Sequence, residues 1–157
     1  MTKESKNKVI PFFRGKSAAN TVKIADTFKF RRGGKLKDVS IAYETWGELN
    51  TSKSNVVVIF TGLSASSHVT SSSFDSTTGW WESMVGSGKP VDSDTHFIVC
   101  INTLGSCFGS TSPVSVNAGT DQPYRLSFPE LTVEDMATAS NMLLSKIGID
   151  SINILIG

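Results

Sequence analysis

Ile152-Asn-Ile-Leu-Ile156, with Gly157 behind it, is a five-residue apolar run broken only by Asn153. A run this short and this apolar reads as a strand buried on both faces of a parallel sheet. It follows a segment with helical spacing. Val133, Met136, Ala137, Ser140, Leu143, Leu144 and Ile147 fall on one face of a helix expected over about residues 133–147. Thr132 is placed to cap that helix, Asp135 three positions later completes a capping-box-like pair, and Gly148 is the stop. A helix that feeds a buried strand belongs to an α/β sheet, and the glycine after the strand predicts a turn into another helix.

Two further runs upstream have the same character: Val56-Val-Val-Ile-Phe60 and Phe97-Ile-Val-Cys-Ile101. Before them, Phe28–Arg32 and Asp38–Thr45 flank Gly33-Gly34, which predicts an antiparallel pair. Val39, Ile41 and Tyr43 alternate there with Ser40, Ala42 and Glu44, the period of a strand. The remaining segments read as a Ser/Thr/Gly-rich loop from Thr61 to Gly79, a short helix from Trp80 to Val85, and a long loop from Asn102 to Pro129. The expected fold is α/β: antiparallel leading strands, then parallel strands with helices on both faces. Ligands of such sheets gather beyond the carboxyl ends of the strands. The segments in that position are Thr61–His68, Asn102–Ser115 and whatever follows Gly157.

At 157 residues the chain fits one domain, and 39% hydrophobic content marks it as globular. Formal charge is only +1, yet residues 1–40 carry +8 and the rest −7. The basic start reads as a mobile tail over residues 1–25, with the domain spanning 26–157. It lacks the apolar core of a signal peptide, and its Lys bias with Glu4 argues against a transit peptide, so cytoplasmic localisation is expected, with mitochondrial targeting as the alternative. Aromatics are not interleaved with the basic residues, so no nucleic-acid partner is expected. No apolar run approaches the roughly 18 residues of a membrane span. Cys100 and Cys107 lack metal-site spacing and read as reduced thiols, and no His/Cys metal set is present.

Thr61-Gly-Leu-Ser-Ala-Ser-Ser-His68 directly follows a buried strand. Small residues let such a loop turn its backbone N–H groups into a cleft, where they can stabilise an oxyanion. Taken alone, the loop reads more simply as an ordinary polar connection. Trp80 and Trp81 read as packing anchors, and Glu134 and Asp135 as first-turn acids that suit the helix dipole. Gly86-Ser-Gly-Lys-Pro90 lacks the spacing of a phosphate-binding loop.

Gly47, Gly79-Trp-Trp81, Gly86-Ser-Gly88, Asp92, Leu104-Gly105, Gly109-Ser-Thr111, Pro113, Asn117 and Phe128-Pro129 stand in one order and at characteristic spacings. With Ile41-Ala-Tyr-Glu-Thr-Trp-Gly-Glu-Leu-Asn50 and Leu104–Asn117, they resemble the homoserine O-acetyltransferase family, from about residue 25 to the end. The resemblance implies an α/β-hydrolase fold and acyl transfer from acetyl- or succinyl-CoA to L-homoserine or L-serine, in methionine or cysteine biosynthesis. It implies no bound cofactor, acyl-CoA as co-substrate, and a homodimer at full length. The Leu63 backbone N–H is assigned to the oxyanion hole, with Gly62 and Ser64 as substrate-binding candidates.

This chain departs from the family where Thr61-Gly-Leu-Ser-Ala65 replaces a common His-Ala-Leu-Thr-Gly. That departure resembles the serine-acylating or eukaryote-type branch more than the common bacterial homoserine branch. Leu104-Gly-Ser-Cys107 and Ser112 likewise replace small family residues. The family's nucleophilic Ser falls about two residues past Gly157, with its Asp and His later still. The chain is therefore expected to be an N-terminal fragment with no nucleophile, acid or base of its own and no activity alone. His68 is expected as a loop or pocket residue and His96 at the surface. The alternatives are an esterase or thioesterase fragment of the same fold, or a non-catalytic interaction piece.

Overall fold

A computed structural model describes residues 20–157. Five strands form one sheet: β1 (Asn20–Lys29), β2 (Lys35–Trp46), β3 (Val56–Phe60), β4 (Phe97–Ile101) and β5 (Ile154–Ile156). Their order across the sheet is β1-β2-β4-β3-β5. β1, β2 and β4 pair antiparallel, whereas β4, β3 and β5 run parallel. This is the expected antiparallel lead into a parallel sheet. Most of the expected tail (residues 1–19) lies outside the described residues, but β1 begins at Asn20, so residues 20–25 are strand.

Alternation within β3 and β4 builds two cores, one on each face. Val56, Val58, Val99 and Ile101 point toward the hairpin and α1 (Val133–Lys146), meeting Ile41, Ala139, Leu143 and Leu144. Val57, Ile59, Ile98 and Cys100 point the other way, onto Val69, Val85, Trp81 and Met84. Both faces are dry, which is why the two runs are unbroken hydrocarbon.

The second face is not covered by a helix among the described residues. Residues 80–84 form a turn rather than the expected short helix. The Glu82 carboxylate accepts from Ser71 N–H (2.8 Å), Ser71 Oγ (2.9 Å) and Gly79 N–H (2.9 Å). The Gly79 and Ser71 amides hold that carboxyl far below its usual range. The Gly79 bond is half of a capping box, so a turn starts here, with Met84 and Val85 N–H donating to the Trp81 carbonyl. It goes no further, because Val85 and Gly86 enter a short parallel ladder with Val91 and Asp92.

α1 forms where its caps predict. Thr132 Oγ1 accepts from Asp135 N–H (3.2 Å), and Asp135 Oδ2 accepts from Thr132 N–H (3.0 Å). Its buried face is rotated from the expected one: Asp135, Ala139, Ser140, Leu143 and Leu144 are buried, while Val133 and Ala137 are exposed. Asp135 accounts for the rotation, since Oδ1 also accepts from Arg31 N–H in the β1–β2 turn (2.9 Å). Thr132→Ala should cost about 1 kcal/mol, and Asp135→Ala more because the Arg31 amide also loses its acceptor. Denaturant midpoints of the two variants check that order; an equal loss would leave the tie to Arg31 without energetic weight.

Candidate functional site

The three parallel strands end side by side. Phe60 pairs with Ile101 and Ile59 with Ile156, so Thr61, Asn102 and Gly157 leave the sheet on one rim. A Cβ on Gly157 would stand 3.6 Å from that of Phe60. The 61–68 loop therefore shares its rim with the carboxyl end of the chain, as the sequence pattern requires.

The loop is fixed at both ends and open in the middle. At its start, Thr103 Oγ1 donates to the Thr61 carbonyl (3.3 Å) and Thr61 Oγ1 to the Ile101 carbonyl (3.4 Å). A turn closes by Ala65 N–H to the Gly62 carbonyl (3.2 Å). Gly62, Leu63 and Ser64 are exposed, Leu63 by 55%. Among the described residues, their N–H groups donate to no protein acceptor. At its far end, Ser67 N–H donates to Asn102 Oδ1 (2.6 Å), and Asn102 Nδ2 donates to Ser67 Oγ (3.1 Å) and the Phe108 carbonyl (2.8 Å). The Asn102 main chain is also held, by Ala42 and by Ser110 Oγ (2.6 Å). One fully buried amide side chain thus joins the 61–68 loop to the 104–110 loop.

Beside it lies a buried charge. Glu44 in β2 is 4% exposed, although strand alternation alone would put it outside. Its Oε2 faces His68 Nδ1 at 3.1 Å, and its Oε1 accepts from Ser67 Oγ at 3.4 Å. His68 Nε2 faces the Thr77 carbonyl at 2.9 Å. Thr77 Oγ1 stands 3.3 Å from the same Nε2. The imidazolium can donate to the Glu44 carboxylate and the Thr77 carbonyl at once, whereas a neutral ring can donate to only one of them. Burial alone would pull the His68 pKa down, but the Thr77 carbonyl and the Glu44 carboxylate outweigh it and the net shift is upward.

The sign of the pH effect follows. A folded-state pKa above the unfolded value gives stability that is fully present below about 6.5 and is lost as pH rises through the folded value. Wild-type stability should therefore fall on the alkaline side relative to Glu44→Gln, in urea titrations from pH 5 to 9. Parallel curves would show the pair to be uncoupled from folding.

Other expected residues fall as follows. Trp81 packs in the second core. Trp80 is half-exposed, stacks on Trp81 at 5.7 Å and donates Nε1–H to the Ser66 carbonyl (2.9 Å). His96 lies just before β4, partly exposed, against Thr95 Oγ1 and the Asp92 carbonyl. Cys100 is buried and Cys107 exposed, both as free thiols. Burial and the neighbouring Glu44 push the Cys100 thiol well up. No cluster of metal-ligating side chains occurs among the described residues, and no helix among them is long and apolar enough to cross a membrane. Depressions lined by Arg31, Arg32 and Thr132, and by Lys35, Lys37 and Tyr124, include no residue of the 61–68 loop.

Sequence reasoning missed Glu44 and Asn102. The signal for Asn102 was present, since a polar amide directly after an apolar strand sits where ligands gather. Glu44 carried no such signal.

No family model matches the sequence. The chain is 48% identical over 140 residues to the serine O-succinyltransferase of Litchfieldella anticariensis, and 48% identical over 140 residues to the L-serine/homoserine O-acetyltransferase of Streptomyces lavendulae. The chain belongs to the serine/homoserine O-acyltransferase family. These matches take in 89% of the chain but only 38% and 37% of the two relatives. The same fold appears in the homoserine O-acetyltransferase of Bacillus anthracis (TM-score 0.77, 29% identity, 87% of this chain and 38% of that one). It appears again in esterase E22 (TM-score 0.78, 30% identity, 87% and 39%). Both likenesses support the α/β-hydrolase fold. The chain therefore spans little more than a third of the length of these acyltransferase relatives.

Proposed function

We propose that this chain is the oxyanion-side portion of an acyl-CoA-dependent O-acyltransferase acting on L-serine or L-homoserine. The observation that carries the reading is the Gly62–Ser64 stretch of unengaged N–H groups, on the same rim as the end of β5, in a chain 48% identical to acyltransferases. In this reading, Ser, Asp and His groups from the part of the relatives beyond the match complete the site. The Ser oxygen attacks the thioester carbonyl of acetyl- or succinyl-CoA, and the coenzyme leaves as its thiol with the proton taken from Ser. The acceptor's hydroxyl then attacks the acyl-enzyme, passing its proton to the His. The Leu63 N–H holds the oxyanion in both tetrahedral intermediates, a contribution of roughly 2.7–4 kcal/mol per donor. Gly62 and Ser64 flank that donor and contact substrate. The same reading pairs the full-length protein as a homodimer and needs no bound cofactor.

Esterase E22 supports a second reading on the same scaffold, with water as acceptor. A chimera separates the two. Residues 1–157 replace the matching part of the S. lavendulae protein, and coenzyme A release is followed with and without L-serine or L-homoserine. Release that yields the O-acyl amino acid supports transfer, whereas release that ignores the acceptor supports hydrolysis. A cooperatively folded chimera with neither activity, beside an active parent, would sink both. The 157-residue chain alone should show no acylation burst.

A further inference from the structure

We propose that Glu44 and His68 are positioning residues: a carboxylate–imidazolium clamp that, through Ser67 and Asn102, sets where the Gly62–Ser64 donors point. This deepens, and rests on, the reading of residues 61–68 as an oxyanion loop.

The start of the loop is tied by neutral hydroxyls at the ends of β3 and β4, at 3.3 and 3.4 Å. Its far end is tied by the 2.6 Å bond from Ser67 N–H to buried Asn102 and by a charged group, Glu44, at 3.1 Å from His68 and 3.4 Å from Ser67 Oγ. Glu44 reaches both of the last two loop residues, Ser67 through Oε1 and His68 through Oε2. The Ser66 carbonyl, just before them, is taken by Trp80 Nε1–H. The open stretch is thus slung between two anchors, and its orientation follows the stronger one. Donors to a transition state must be held to within about half an ångström, so slack at the far anchor degrades them.

Charge makes this anchor titratable. The groups facing His68 are Glu44 from β2, Asp75 and the Thr77 carbonyl from the following loop, and its own neighbours. Cys100 from β4 lies beside Glu44 but is held as the neutral thiol. Thr77 Oγ1 also lies 3.3 Å from Nε2. All charged neighbours are acidic, so loss of the ring proton removes the positive charge that Glu44 Oε2 faces across 3.1 Å. The far anchor should therefore loosen as pH rises, opposite in sign to a catalytic His base, which gains activity on deprotonation.

The test uses the 157-residue chain, whose two histidines make assignment simple, and then the chimera. In the chain, ring ¹⁵N shifts report the protonation of His68, and exchange of the Ser67 and Val69 amides reports the anchor. The proposal expects the ring to hold its second proton to higher pH in the wild type than in Glu44→Gln. It expects exchange about tenfold faster in Glu44→Gln, and in the wild type above the ring's pKa after correction for intrinsic base catalysis. His96→Gln should leave both readouts unchanged. A ring titration that Glu44→Gln does not move, or exchange indifferent to that substitution, overturns the clamp. If Glu44→Gln does not fold, the wild-type pH series decides alone.

In the chimera, Glu44→Gln should lower kcat about 10- to 100-fold with little change in KM, less than the roughly 100- to 1,000-fold lost when an oxyanion donor is removed outright, because the donor is kept but misplaced. A clamp present in the chain with kcat unaffected overturns the positioning role. A wild-type chimera without acyl transfer counts against the functional reading, while the ¹⁵N and exchange readouts still judge the clamp.

Discussion

Gly47→Ala is expected to leave little folded protein at room temperature. Gly47 closes β2 at a φ of +74°, in the left-handed region that favours glycine. An alanine there costs about 1–2 kcal/mol from backbone conformation alone. The larger part is steric. A Cβ at this position would overlap the main-chain carbonyl oxygens of His96 and Ser93. Those carbonyls belong to the turn that feeds β4, where His96 N–H is itself bonded to Asp92 (3.0 Å), so they cannot swing away freely. Relief requires β2 and β4 to part where Trp46 pairs with Ile98. A total above about 4 kcal/mol is exceptional for one methyl group and is a large share of the stability of a typical domain. Gly33→Ala supplies the comparison. Its φ is +96°, but nothing lies within 4 Å of the added carbon, so only the conformational part applies. Urea midpoints of the two variants decide the matter. Equal losses would show that the close approach at Gly47 is easily relaxed.

Asn102→Asp should be nearly as damaging, for an electrostatic reason. The wild-type amide donates to the Phe108 carbonyl and Ser67 Oγ while accepting from Ser67 N–H. The acid keeps the acceptor but places a second oxygen against the Phe108 carbonyl, in a fully buried position. It also adds negative charge to a region that already holds buried Glu44. Stranding an unpaired charge in this way costs about 3–5 kcal/mol. Burial and Glu44 would raise the introduced carboxyl's folded pKa, so the loss grows as pH climbs above its unfolded value of about 3.9 and shrinks toward acid. Asn102→Ala leaves the same amide and carbonyl unsatisfied without the charge, at about 1–3 kcal/mol per group and with no such pH dependence. A pH-independent Asn102→Asp penalty would mean that water reaches the site.

The sheet was readable because burial on both faces leaves no room for polar side chains: β3 and β4 were located to the residue. β5 was two residues shorter than its apolar run, since Asn153 spends its side chain on Val56 N–H (3.0 Å) at the strand's entry. Nor is it buried on both faces as expected: it is the edge strand, with Ile154 and Leu155 exposed. The helix and its caps were legible from local chemistry, but not its rotation, because that depends on Arg31, more than a hundred positions away. The segment at 80–84 looked helical because its cap and its Trp and Met residues suit a helix, whereas the pairing of Val85 and Gly86 with Val91 and Asp92 that ends it after one turn left no local signal. Glu44 was hidden for the same kind of reason. Periodicity reports which side of a strand a residue faces, but not what later covers that side.

β3 lies at the centre of the parallel portion, yet the strand on its far flank comes from the other end of the chain. Val56 N–H waits for Asn153, separated from it by 97 residues. During synthesis at roughly 5–20 residues per second, that flank stays bare for several seconds after β3 and β4 have emerged. The nascent chain thus exposes a β-branched, hydrogen-bond-hungry border at the moment other unfinished chains are nearby, which is where aggregation during expression should begin.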